Sequence, residues 1–360
     1  HPYKQKKVKL MLLELIRATY SFYRASSFWV CFLFVLPFLL IINFMLLGVA
    51  PPSLAAETYP SHPVKLTVTY GKGGAADIAA RLFAAIAPEY LGQPISVGTV
   101  IGNAGIKGMS TVHKASPDGY ILALARIGSI TGSAAVRTNL PYAYDDFTML
   151  GLLEINPTVL TVSSNSPYTH VKQLLAAIKS KPGTLKYAIP GRYNLQHLSA
   201  LLLMDKGGVA NPATDAKAAL FSGGGAGIKA VADGKVDFSI GNLSSAMNLV
   251  RQGSVRPLLI NTPSRHSFLP NTMTAREAGL ADLESVVGWS AIFAPPGMSK
   301  DLMQKWSGVM QQVKNNRTWK NLVKATGSIA SIQSPEGTRI FVNAQYKVLH
   351  ALARRLKLRK

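Results

Sequence analysis

The sequence predicts an α/β fold built on mainly parallel sheets, and three observations predict it. From Val64 onward, short β-type runs alternate with longer helical stretches, the pattern of βαβ units. Several of these strands end in Gly-rich turns, and in open α/β sheets such ends are where ligands bind. The chain has 360 residues, 48% of them hydrophobic, which allows two domains with real cores at about 100–200 residues each.

Val64 to Tyr70 reads as the first strand; it ends in Gly71-Lys72-Gly73-Gly74 and passes into a helix from Ala75 to Tyr90. Ile95 to Val100 is a second strand, followed by a loop through Gly102, Gly105 and Gly108 and a helix through Val112. Ser116-Pro117-Asp118-Gly119 is turn chemistry, and Tyr120 to Ala125 is a third strand. Thr158 to Val162 is apolar and β-branched, Tyr168 to Ser180 has helical periodicity, and Leu185 to Ile189 is a strand. The Gly-rich stretch Ser222 to Gly227 comes next, then strand-like runs at Val236 to Ile240, Val255 to Ile260 and Val286 to Ala294. Lys300 to Ala325 and Pro335 to Leu356 are predicted helices.

Ahead of this body, residues 1–24 carry six basic side chains against one acid, Glu14, and an apolar run follows from Phe28 to Leu47. A basic flank before an apolar run is an export signature. The run is long enough to span a bilayer of about 30 Å, which favours a retained anchor. Small residues at Ser53 and Ala55 after Pro51-Pro52 favour cleavage after Ala55 or Ala56. Residues 1–55 are thus expected to be a signal peptide or an anchor. Met11 is the first methionine, so the ten residues before it are kept out of the fold argument, and the single Cys31 inside the apolar run reads as buried and inert.

Setting aside the six basic residues and one acid of residues 1–55 leaves 33 Lys+Arg against 16 Asp+Glu, a formal charge of +17. Such a surface raises the local concentration of anions and speeds capture of a carboxylate, and it fits a nucleic-acid or membrane-surface binder, or a membrane-tethered basic binding protein with no transport role, equally well. The basic residues are spread along the sequence, without an aromatic-interleaved box or zinc-finger spacing, which speaks against nucleic acid. The one cluster, Arg354 to Lys360, reads as a solvated helix end.

A Gly73-Gly74 turn before a helix leaves backbone N–H groups pointing outward where the macrodipole favours negative charge, so it can cradle a carboxylate or phosphate; an ordinary tight turn is the plainer alternative. Asp77 in the first helical turn can cap free amides instead of touching ligand. A Walker lysine and a GxGxxG fingerprint are both missing, so nucleotide binding has little support. Seven histidines show no HExxH or HxH spacing, and no GxSxG elbow occurs. One cysteine cannot build a disulfide or a thiolate metal site, so neither cofactor nor metal is expected, and no catalytic constellation emerges. His197 is expected to pack at a helix start.

An ordered set of segments resembles the Bug family, the extracytoplasmic solute receptors of tripartite tricarboxylate transporters. The set runs through Tyr59-Pro60-Ser61-His62-Pro63-Val64, then Tyr70 to Arg81, Leu91-Gly92-Gln93-Pro94 and Ser116 to Tyr120. It continues with Asp146-Phe147, Pro182 to Ala188, Asp233-Gly234-Lys235-Val236-Asp237, Asn242-Leu243, Glu277 to Leu280 and Trp289 to Pro295.

The resemblance implies a two-lobed receptor of periplasmic-binding-protein type II, a Venus flytrap in which each lobe is a mainly parallel sheet flanked by helices. Residues 57–158 and 290–360 would form a discontinuous first lobe and 159–289 the second. It implies a non-catalytic protein that takes a small organic acid and passes it to membrane transporter subunits or a sensor kinase, with a soluble, monomeric, periplasmic mature form. Carried over residue by residue, it points to Tyr70, Gly73, Gly74 and Asp77 in the first loop. It also points to Gly128, Ser129 and Thr131 after the third strand, to Gly191 and Asn194 in the facing lobe, and to Asn242. The chain departs from the family at Thr99 to Asn103, which lacks the usual arginine, and at Gly241, where an aspartate is usual. Lys72, Arg126 and Arg192 are cations in or beside these loops, able either to pair with a ligand carrying more than one carboxylate or to point into solvent.

Overall fold

Residues 59–359 and Glu14 are described by the structure, a computed structural model. The rest of the leader, the apolar run, Cys31 and the expected cleavage point lie outside the described residues. The first half of the body alternates as the sequence pattern predicts: β1 (Val64–Val68), α1 (Ala75–Ile86), α2 (Pro88–Leu91), β2 (Ile95–Thr99), α3 (Ile106–His113), β3 (Ile121–Arg126), α4 (Ser133–Val136) and β4 (Thr148–Asn156). Only Pro157 separates β4 from β5 (Thr158–Ser163), which opens a second run. That run comprises α5 (Val171–Ser180), β6 (Lys186–Ile189), α6 (Leu195–Lys206), β7 (Lys217–Leu220), α7 (Gly224–Ala232), β8 (Phe238–Asn242), α8 (Leu243–Arg251) and β9 (Val255–Ile260). The chain then supplies β10 (Gly288–Ala294), α9 (Lys300–Asn315), α10 (Arg317–Ala325), β11 (Ile329–Ala330) and α11 (Pro335–Arg355).

The strands form two sheets, one in each lobe. The first has the order β11-β4-β10-β3-β1-β2 and the second β7-β6-β8-β5-β9. Both are mixed, not mainly parallel. β1 pairs in parallel with β2 and β3, but β10 runs antiparallel to β3 and β4; β6 is parallel to β7 and β8, but β5 is antiparallel to β8 and β9. The physical reason is the path. β10 arrives from the other sheet, so it needs no crossover helix and slots between two strands that already run the other way. β5 leaves β4 through one residue, and the same logic holds for it.

Helices cover both faces of each sheet. Phe83, Trp306 and Trp319, all 0% exposed, fill the space between the first sheet and the α1, α9 and α10 layer. Truncating any of these rings would cost about 3–5 kcal/mol. Ile228, Val231, Leu243 and Met247 pack under α7 and α8 against the second sheet. A larger cluster including Leu160, Leu201, Trp289 and Leu352 runs between the lobes. The stretch predicted as one helix from Lys300 to Ala325 is two. Asn316 adopts extended backbone, ends α9, and accepts a hydrogen bond from the Trp319 N–H at 2.8 Å to cap α10. Among the described residues no helix is long and apolar enough to cross a membrane.

Candidate functional site

Five chain segments that leave strand ends converge on one cleft between the lobes: the loop after β1, the turn after β3, the loops after β6 and β7, and the end of β8. The cavity they enclose is about 40 Å³, and about 440 Å³ when the space open to solvent is counted. Gly74, Asn194, Gly223 and Asn242 all line it, and they are the N-caps of α1, α6, α7 and α8. Four helix mouths therefore open on the same space. Each carries roughly half a positive charge in N–H groups without helical partners, so together they favour an anion strongly. The N-cap residues of α1, α7 and α8 make no side-chain capping bond, although at α1 the Ala75 N–H is taken by Ser245 Oγ at 3.1 Å.

The first loop is shaped by Gly73, whose φ of +73° suits glycine, and by Asp77. The Asp77 carboxylate accepts the Gly73 N–H at 3.0 Å and the Arg81 Nε–H at 3.0 Å, bracing the turn from below. Burial pushes the Asp77 carboxyl upward, but the Arg81 and Gly73 hydrogen bonds and the charges of Arg81 and Lys72 outweigh it and hold the group below the usual carboxylate range. Tyr70 packs into the cleft wall and donates its hydroxyl to the Ala104 carbonyl at 2.8 Å. Burial, opposed by the Arg126 charge, pushes the phenol up to about 12, so it remains a neutral donor.

On the facing lobe, Asn194 is 2% exposed. Its Oδ1 accepts the His197 N–H at 3.1 Å, while its Nδ2 is buried without a partner. A buried amide donor with nothing to bind is costly unless a ligand completes it. His197 Nδ1 accepts the Tyr193 N–H at 2.9 Å, at a residue with φ +64°, so the ring fixes the loop that presents Asn194. Burial, helped by the Arg192 charge, lowers the His197 pKa to about 4 and keeps it neutral.

Of the ten residues singled out from sequence, the cleft brings together Tyr70, Gly74, Gly128, Asn194 and Asn242. Gly73 and Asp77 shape the first loop from outside the lining. The Ser129 hydroxyl donates to the Arg126 carbonyl at 3.2 Å, and the Thr131 hydroxyl to the Ile127 carbonyl at 3.3 Å and Gln345 Oε1 at 3.1 Å, so both turn into the first lobe. Gly191 faces Ala104 across the lobes; a Cβ there would meet the Ala104 Cβ at 3.2 Å. Among the three cations, Lys72 and Arg192 are exposed, whereas Arg126 is buried and lines the cleft.

Sequence reasoning missed Gln196, Ser245, Gly223 and Gly224, which also line the cleft. The available signal was an Asn opening each of α6 and α8. Side chains in the first turn after such a cap share the helix mouth.

A sequence profile described as the tripartite tricarboxylate transporter family receptor (TctC) matches residues 79–358. A UPF0065 protein of Bordetella pertussis is 31% identical over 256 residues, 71% of this chain and 77% of that protein. The structure of Rpa4515 of R. palustris with adipate superposes with a TM-score of 0.77 at 25% identity, covering 83% of this chain and 98% of that one. MatC from Rhodopseudomonas palustris, with bound malate, superposes with a TM-score of 0.76 at 26% identity, covering 82% and 99%.

Proposed function

The chain belongs to the tripartite tricarboxylate transporter receptor family, and from that premise we propose that it is an exported receptor that closes two lobes over a small carboxylate in the periplasm. The captured acid is handed to membrane transporter subunits or to a sensor partner. The lobe that carries β1 to β4, β10 and β11 and the lobe that carries β5 to β9 make the two halves of the clamp, so the crossings fall at Pro157 and just before Gly288 and not at 158 and 289; residues 1–55 direct export.

One observation carries the ligand class: four helix mouths and the buried Asn194 amide, whose Nδ2 has no partner, line the same cleft. Peptide dipoles of this kind stabilise a fixed negative charge and offer no group that would turn a substrate over. Tyr70, Gly74, Gly128, Asn194 and Asn242 surround the ligand, while Gly73, Asp77, Ser129, Thr131 and Gly191 hold the loops that position them. Adipate and malate are bound in two of the similar structures.

The test is calorimetry or thermal shift on ligand-stripped protein against mono-, di- and tricarboxylates. At a hundredfold excess over Kd a true ligand stabilises by about 2.7 kcal/mol. Silence from every acid would overturn the reading.

A further inference from the structure

Arg126 closes β3 at the wall of the cleft and is 4% exposed. A buried guanidinium carries a large desolvation cost and needs a partner. Its partner is Glu154 of β4, 2% exposed and outside the cleft lining, with Arg126 Nη1 to Glu154 Oε1 at 3.7 Å. Ser290 of β10 stands between them. Arg126 Nη1 donates to Ser290 Oγ at 2.5 Å, and the Ser290 hydroxyl donates on to Glu154 Oε1 at 2.9 Å. The guanidinium is thus gripped from behind, through one nitrogen, by three adjacent strands.

A guanidinium carries five N–H donors. The contacts described for Arg126 use only Nη1; its other donors are left beside the cleft, where Asn194 Nδ2 is also unpartnered. The helix mouths and the β3 wall line the same cleft, so a ligand with two carboxylates can meet both. A charge that is buried, oriented from the rear and bare in front is built to receive a second anion, because a bidentate pairing with carboxylate needs that fixed geometry.

We propose that Arg126, oriented by Ser290 and Glu154, receives the second carboxylate of the ligand, so that the site selects dicarboxylates over monocarboxylates of equal length. This rests on the carboxylate-receptor reading and specifies it. Glu154 sets the direction of the guanidinium, through Ser290 and from outside the cleft lining, without touching the ligand.

The test compares succinate with succinamate, and adipate with adipamate, by calorimetry on ligand-stripped protein; each pair differs only in one carboxylate exchanged for an amide. The wild type should prefer at least one diacid over its half-amide by about tenfold to a hundredfold, the worth of a hydrogen bond to a charged group. Arg126→Gln should reduce that ratio to within about threefold. Should Arg126→Gln leave a buried, unpaired Glu154 and fail to fold, the neutral pair Arg126→Gln/Glu154→Gln removes both charges together and should show the same collapse. A ratio that survives in either folded variant overturns the proposal. A wild type that binds acids but ranks diacid and half-amide alike overturns it too and leaves the receptor reading intact, whereas a wild type that binds no acid sinks both.

Discussion

The backbone N–H of Ala75, at the start of α1, donates to Ser245 Oγ of α8 at 3.1 Å, joining the two lobes across 170 positions of sequence. Nearby, a Cβ on Gly71 would lie 3.1 Å from the Ser222 carbonyl of the facing lobe. The lobes are therefore in direct contact at the rim of the cleft. Ser245→Ala removes the acceptor and leaves a helix-mouth amide without its partner in the closed form. Ligand affinity should fall about fivefold to tenfold, the worth of one hydrogen bond, while the denaturation midpoint of ligand-free protein stays near wild type; an unchanged Kd by calorimetry would refute the latch.

Gly128 makes room for this closure. A Cβ there would sit 2.5 Å from the Tyr70 hydroxyl, 2.9 Å from the Asn194 Cβ and 3.1 Å from the Asn194 Cα. The hydroxyl can swing aside but the Asn194 backbone cannot, so Gly128→Ala holds the lobes apart. Affinity is expected to drop more than about tenfold, with a clash of this size worth on the order of 1–3 kcal/mol. Small-angle scattering should show that saturating ligand no longer compacts the variant; normal compaction would count against the wedge.

His197 gives the fold a pH dependence of predictable sign. The folded state holds its pKa at about 4 against an ordinary 6.5, so the unfolded chain binds a proton over that interval that the folded chain refuses. Stability from this residue is complete above pH 6.5 and declines toward pH 4, by up to about 3 kcal/mol at 1.36 kcal/mol per pKa unit. Urea midpoints of wild type and His197→Gln at pH 7.5 and pH 5, chosen as roughly either side of the ordinary value, should converge as the pH falls. Parallel losses in both proteins would assign the slope elsewhere.

Thr131 separates support from contact. Its hydroxyl shares Gln345 Oε1 with the Trp289 indole, and Gln345 Nε2 donates to the Val287 carbonyl at 2.9 Å, a buried network tying β10 to α11. Thr131→Val should cost about 1–2 kcal/mol of folding stability by the loss of one buried hydrogen bond, with Kd within about twofold of wild type. A large rise in Kd with normal stability would place this hydroxyl on the ligand.

Much of the architecture could be read in advance because apolar, β-branched runs between turn residues have few other uses. Val64 to Val68 and Val255 to Ile260 fall where that pattern puts them. β4 escaped because Gly151 and Glu154 interrupt its apolar run, and Glu154 is there to meet Arg126, a partner from another strand. β7 is Lys-Ala-Ala-Leu, too short and alanine-rich to announce itself. α6 has no amphipathic stripe because Leu195 to Met204 is buried on every side. The Gly73-Gly74 cradle was legible as local chemistry; the convergence of four helix mouths was not, since it depends on how two sheets face one another.

A grip made of main-chain dipoles has no titration curve. The peptide N–H groups at the mouths of α1, α6, α7 and α8 neither gain nor lose a proton across the range in which proteins stay folded, and a guanidinium scarcely does either. Outside a cytoplasmic membrane, where acidity follows the surroundings, capture would track the ionisation of the acid being captured and not that of its captor.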